Sequence, residues 1–348
     1  MPKLIKNKPY GVLQNGFFAA VDDYPIAGGW GLKGKLFAVG DASGSVHAFD
    51  GTSGQEIWKN TEAHVGGIMS LSVSPNGTQL ASVGQDGQLA IWNFADGQLQ
   101  HQTEIASGWV EHVAWSKSGN YLAVSSGRVV TNLSSSGEKI WSSEKHPSTV
   151  SALGWVTDQE LSTACYGRVT FFNTSSGQEN ERLEWQGSLV SLALSPDGNI
   201  IACGSQDKSV HFWRRSNGQD SMMSGYPWKP SELAFSHDGL LLATGGGEDV
   251  TIWSFEGNGP EGTTPGVLEF HQAPVSSLAF SPHQRHLASG CREGGVVVWS
   301  VGKKGSGRGL GGAPVNGSVE NVYWRPDGRS LAAIDAEGGI TVWRVKKI

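Results

Sequence analysis

The chain repeats itself, and that repeat limits what it can fold into more than any other feature. Ile68–Trp92 reads IMSLSVSPNGTQLASVGQDGQLAIW, and Leu189–Trp213 reads LVSLALSPDGNIIACGSQDKSVHFW. Val275–Trp299 and Val319–Trp343 follow the same pattern, and weaker copies begin at Pro25, Val110, Val150 and Pro230. Aligning them makes Trp30, Val73, Trp115, Trp155, Leu194, Phe235, Phe280 and Trp324 equivalent, 39 to 45 residues apart. Within each unit apolar and polar residues alternate in short runs, the period of half-buried strands. Turns such as Ser74-Pro75-Asn76-Gly77 and Ser195-Pro196-Asp197-Gly198 separate the first two runs, because Pro and Asn/Asp-Gly suit a tight reversal. A third run ends in an aromatic residue in most units. Glycine turns at Gly54, Gly97, Gly137, Gly177 and Gly218 then lead to a fourth, outer run such as Gln55–Trp58 or Glu138–Trp141.

Four strands in about 40–45 residues, repeated around a circle, make a β-propeller. A chain of 348 residues exceeds what one compact core of roughly 250–300 residues supports, so a repeated architecture is expected. The expectation is an all-β, closed β-propeller of four-stranded antiparallel blades. Eight is the blade count the units give, and seven is the alternative. Residues 1–348 are read as one propeller domain, with repeats from about 25 to 343. The last unit stops after its third run, so the apolar segment 10–21, YGVLQNGFFAAV, is expected to supply the closing outer strand and remove an open edge.

Composition narrows the function. Glycine contributes 49 residues, twice the usual share of about 7%, which suits many tight turns. A net charge of −6 lacks the basic footprint of a nucleic-acid binder. No apolar run approaches the roughly 20 residues of a membrane helix, and residues 1–10 do not read as a secretory signal. Cys165, Cys203 and Cys291 are too scattered for a disulfide framework or a zinc spacing. These features predict a cytoplasmic protein, read as a monomeric ring. They predict no nucleic-acid partner, no membrane, no metal and no cofactor.

Catalytic motifs are weak. Matches to G-x-G-x-x-G at Gly29, Gly257 and Gly307 have no helix pattern after them and read as loops rather than phosphate cradles. There is no nucleophile elbow. Glu111, His112, Glu232 and Glu320 fall on or beside first strands and would face a channel. They carry the alternative reading of an enzyme or metal-handling protein, beside the preferred one of a non-enzymatic scaffold. Gly302–Gly312 (GKKGSGRGLGG) reads as a flexible basic surface loop, leaving the outer strand of the seventh unit short or displaced.

The fixed offsets, taken together, resemble the WD40-repeat family over nearly the whole chain. The resemblance implies a buried tetrad of His, Ser/Thr, Asp and third-strand Trp. His64, Ser82, Asp86 and Trp92 stand at those positions in the second unit. The seventh has His271, Ser289, Glu293 and Trp299, and the fifth has Trp185, Cys203, Asp207 and Trp213. No third-strand Trp is followed by Asp, as Trp92-Asn93 and Trp213-Arg214 show. The family also implies a partner face made by the loops before the first strands, by first-strand starts and by the residue before the tetrad Asp. Carried onto this chain, that face comprises Trp109, Trp228, Lys229, Tyr226, Met69, Glu111, Glu320, Gln85, Gln206 and Arg292. Trp185 maps to the same loops, where filling the histidine pocket is the favoured reading. Exposed aromatic side chains among polar ones are the usual anchors of binding surfaces.

Overall fold

The structure is a computed structural model that describes residues 8–257 and 259–347. Those residues form eight antiparallel blades in a propeller arrangement, and Leu32–Gly34 is the only helical turn among them. Two compact units divide the chain. Val21–Leu192 contains blades 1 (25–60), 2 (68–104), 3 (112–142) and 4 (152–188). Ala193–Ile348 with Met1–Ala20 contains blades 5 (193–223), 6 (232–268), 7 (275–314) and 8 (319–345).

The sequence equivalences reappear as strand register. Trp30 faces Phe37, Val73 faces Leu80, Trp115 faces Leu122 and Trp155 faces Leu161. In the other unit Leu194 faces Ile201, Phe235 faces Leu242, Phe280 faces Leu287 and Trp324 faces Leu331. The second and third strands carry the core. In blades 1 and 2, Ala38, Val46, Ala48, Leu80 and Ala90 are fully buried and pack with Ile68, Trp92 and Phe94. In blades 7 and 8, Val296, Val298, Leu331 and Trp343 do the same. Blade 4 departs from the pattern. Its second and third runs join without a break as Glu160–Asn173, turning at Gly167 (φ 82°).

Tryptophan indoles stitch neighbouring blades within each unit. Trp115 Nε1 donates to Ser72 O (3.1 Å), Trp155 Nε1 to Ala114 O (3.0 Å) and Trp324 Nε1 to Ala279 O (2.9 Å). Near the other edge Trp58 Nε1 donates to Phe94 O and Trp141 Nε1 to Thr174 O. Each indole therefore buries apolar area and still satisfies its one donor. Gly97 lies so close to Trp58 that a Cβ there would sit 2.6 Å from the ring, at a φ of 70°. That turn glycine is required twice over.

The N-terminal segment serves two blades of its unit. Leu13–Ala20 pairs antiparallel with Gly339–Val345, the third strand of blade 8. Just before it, Tyr10–Gly11 pairs with Gly307–Pro314, the fourth strand of blade 7. This corrects the expectation of a flexible loop over Gly302–Gly312. Only Gly302–Ser306 is a turn, closed by Gly302 N donating to Ser306 O at 2.7 Å. Gly307–Pro314 forms a strand by pairing with Gly295–Val301, and at Gly311 and Gly11 the adjacent backbone leaves no room for side chains. A Cβ on Gly311 would lie 2.4 Å from Tyr10 O, and one on Gly11 would lie 2.1 Å from Leu310 O.

Candidate functional site: a cavity on blade 6

The cavity is best understood from blade 2, where every part of the tetrad is present. His64 Nδ1 lies 3.0 Å from Asp86 Oδ1, and His64 Nε2 lies 2.8 Å from Ser82 Oγ. Trp92 Nε1 donates to the same Ser82 Oγ at 2.9 Å. The network runs one way: the His64 Nδ1–H donates to the carboxylate, Ser82 O–H donates to Nε2, and Ser82 accepts from the indole. Burial pushes the Asp86 carboxyl upward, but hydrogen bonds from His64, Gln88 N and Val65 N outweigh it and hold the group below its ordinary value.

Other blades vary this plan. In blade 7 His271 Nε2 lies 2.7 Å from Ser289 Oγ, which accepts from Trp299 Nε1 at 2.8 Å. Glu293 is exposed, however, and His271 Nδ1 is buried with no hydrogen-bond partner among the described residues. Burial lowers the His271 imidazole to about 4. In blade 4 His146 Nε2 reaches Thr163 Oγ1 and Nδ1 reaches Arg128 O, both at 2.9 Å.

Blade 6 replaces two members. Tyr226 stands nine residues before Phe235, as His64 stands nine before Val73. Its hydroxyl accepts from Trp253 Nε1 (2.7 Å) and from Thr244 Oγ1 (3.0 Å), so a phenol completes the buried network without a histidine. The hairpin here is one residue shorter, and Gly247 stands six residues before the tryptophan, where blade 2 has Asp86. The side chain that fills this space in blade 2 is missing. At this place lies a cavity of about 460 Å3, within the range of small-molecule and peptide-anchor sites.

The Tyr226 phenol and Trp253 lie on the inner side of this cavity. Pro227 and Trp228 form one wall, and Pro265 and Val267 belong to the opposite arm of the blade. Trp228 is 60% exposed and Val267 49% exposed. Gly247 lets the Trp228 indole settle down, since a Cβ there would lie 3.3 Å from Trp228 Cδ1. Glu248 and Asp249 are exposed and bring carboxylates to the lining.

Of the residues expected to meet a partner, the cavity brings together Tyr226 and Trp228. Tyr226 contributes differently from the expectation, because its hydroxyl is committed to the buried network rather than offered to a partner. Lys229, Gln206 and Arg292 are exposed in the same unit, and Glu320 is half-buried on the first strand of blade 8. In the other unit Trp109 is 55% exposed before blade 3, and its carbonyl accepts from Ser126 Oγ at 2.7 Å. Gln85 is exposed, Met69 is half-buried and Glu111 Oε2 accepts from Gly127 N. Trp185 is not in a loop. It lies on Glu179–Ser188, the last strand of blade 4, which continues further than the repeat suggested because Tyr166 pairs with Ser188. Pro227, Gly247, Glu248, Asp249, Pro265 and Val267 were missed. The signal that finds them is the run Gly245-Gly246-Gly247 in a shortened hairpin, with tyrosine at a histidine place.

The groups of the alternative, catalytic reading are positioned singly. Glu232, on the first strand of blade 6, has its carboxyl raised by burial to about 7. Burial lowers His112, with Glu111 opposing. Among the described residues no three His, Cys, Asp or Glu side chains converge to hold a metal ion. Cys203 and Cys291 are buried thiols raised by burial, and no described helix is long and apolar enough to cross a membrane.

Fold and repeats define a class, the WD40 β-propeller. The family model described as WD domain, G-beta repeat matches residues 180–214 and 262–300, and together with the eight blades it supports a WD40 β-propeller. A second family model, described as outer membrane protein assembly factor BamB, matches residues 42–189. Similar curated proteins include mouse (Mus musculus) telomerase protein component 1, 25% identical over 86% of this chain and 12% of that protein. Actin-interacting protein 1 of Caenorhabditis elegans is 25% identical over 75% of this chain and 44% of its own length. The chain thus spans less than half of each of these relatives. Among solved structures, the computationally designed Ika8 protein has a TM-score of 0.82 at 20% identity, covering 95% of this chain and 100% of that one. A chain of the mitotic checkpoint complex has a TM-score of 0.66 at 22% identity, covering 80% of this chain and 86% of that one. Both show the fold. WD40 propellers typically serve as scaffolds for protein interaction.

Proposed function

We propose that this chain is a non-enzymatic scaffold that binds a protein or peptide partner through loops preceding its first strands, with the blade 6 cavity as the principal anchor site. The observation that carries this reading is the 60% exposed Trp228 standing over a preformed cavity of about 460 Å3. An exposed indole on a rigid support loses little freedom on binding, which is how such anchors gain affinity. Trp109 offers a second exposed indole before blade 3. The net charge of −6 supports a partner that is not nucleic acid, and we read the protein as a cytoplasmic monomer.

The test is affinity capture from native extract with wild type, Trp228→Ala and Trp109→Ala, each checked by thermal melting. A specific protein retained by wild type and lost with Trp228→Ala is the expected result. A captured set indifferent to Trp228 overturns the reading.

A further inference from the structure

The lining of the blade 6 cavity also identifies what enters it. Its walls are aromatic and apolar, through Pro227, Trp228, Trp253 and Val267, and its charged groups are all of one sign. Glu248 and Asp249 contribute two exposed carboxylates, and no ion pair engages either one among the described residues. No basic side chain among the described residues lines the cavity. An apolar neutral ligand would leave that charge unanswered, and an acidic one would be repelled by it. A long apolar stem ending in a cation meets both parts, because the stem packs on proline and indole while the cation lies over the indole face near the carboxylates.

Resting on the scaffold reading above, we propose that the blade 6 cavity takes the side chain of a lysine or arginine from the partner peptide. The geometry gives each group a task. Gly247, by lacking a side chain, leaves room beside Trp228 and Pro227, and the Tyr226 hydroxyl is held by Thr244 and Trp253. Trp228 supplies the stacking face and the acidic pair supplies the selection by charge. Lys229, although adjacent in sequence, is outside the lining and leaves the site's sign unchanged.

The proposal is tested on the full chain with small probes, by ligand-observed NMR titration. N-acetyl-lysine methylamide is compared with its neutral counterpart N-acetyl-norleucine methylamide and with N-acetyl-glutamate methylamide. A cation over an indole flanked by carboxylates should favour the lysine probe over norleucine by about tenfold. Glu248→Gln/Asp249→Asn, both exposed positions, should bring the two close to parity, and Trp228→Ala should abolish both signals. Raising the salt should weaken the lysine probe alone.

Norleucine binding as well as lysine, in a Trp228-dependent manner, overturns the cation assignment and leaves the scaffold reading standing. So does the absence of lysine binding while Trp228-dependent capture from extract persists. Loss of both the probe signal and the Trp228-dependent capture overturns the two together.

Discussion

Blade 7 carries a defect that blade 2 shows how to repair. His271 Nδ1 is buried without a partner among the described residues, whereas His64 Nδ1 has Asp86 Oδ1 at 3.0 Å. The residue six before each tryptophan is glutamate in one case and aspartate in the other. Glu293→Asp removes one methylene and places a carboxylate where Asp86 receives the imidazole N–H. A buried donor left unpaired costs about 1–3 kcal/mol, and part of the gain is offset by drawing the carboxylate out of water. The net stabilisation expected is about 1–2 kcal/mol. With an unfolding entropy of about 2.1 cal/mol/K per residue, that is a rise in Tm of about 1–3 °C if the chain melts as a whole. It is about twice that if the unit holding blade 7 melts alone.

The histidine offers a second readout. With an imidazole lowered to about 4 in the fold and near 6.5 when unfolded, His271 supports stability fully above pH 6.5. That support, on the order of 3 kcal/mol, is lost as the pH falls towards 4. Glu293→Asp should raise the folded pKa and flatten this acid-side loss. Calorimetry from pH 4.5 to 8, with NMR titration of the imidazole, measures both effects. Asp86→Glu should produce the mirror image in blade 2. A Glu293→Asp protein that melts no higher than wild type and keeps an unmoved imidazole refutes the argument. So does an Asp86→Glu change without cost.

Two further outcomes are expected. In blade 1 the buried His47 lies between Asp41 (3.1 Å) and Glu56 (2.8 Å). Burial lowers its pKa, but bonds to both carboxylates outweigh this and raise it, while Asp41 is lowered on the same account against its own burial. The histidine's contribution is present below its unfolded pKa and lost as pH rises through the higher folded one. The aspartate's contribution is present above its unfolded pKa and lost on acidification. Melting of His47→Gln should therefore converge on wild type at alkaline pH, and a constant difference from pH 5 to 9 would contradict the pairing. Second, Gly247→Asp should crowd the blade 6 cavity, because a Cβ added there would stand 3.3 Å from Trp228. Partner capture should drop at least tenfold while Tm moves by about 2 °C or less, as for other surface changes. Capture that survives would remove the cavity from the binding mechanism.

Much of the fold was legible because a propeller blade is a local structure. Hairpin turns and two-residue alternation announce each strand within about 40 residues, so Trp30 through Trp324 could be aligned before any coordinate was known. What escaped depends on neighbours distant in sequence. Gly307–Pro314 looks like a loop by composition and is a strand because it pairs along Gly295–Val301, with Tyr10–Gly11 on its other edge. Trp185 was displaced by a blade 4 strand running on to Ser188. Of the site, Trp228 was visible as an expected partner-face residue, but the cavity was not. A cavity is made by missing side chains, and only comparison with Asp86 shows that Gly247 has left something out.

The pairing of Leu13–Ala20 with Gly339–Val345 sets an order of events during synthesis. Asn15, whose carbonyl accepts from Arg344, leaves the ribosome 329 residues before that arginine. At roughly 5–20 residues per second, Leu13–Ala20 waits roughly 15–65 s for its partner. Throughout that interval Leu13, buried in the finished protein, and Phe17 have no sheet to join. The segment's own composition limits the hazard, since Gln14, Asn15 and Gly16 interrupt the apolar run and weaken it as a template for stray strand pairing. A ribosome paused before Gly339 would hold a chain of nearly finished blades in which Leu13–Ala20 is still unpaired.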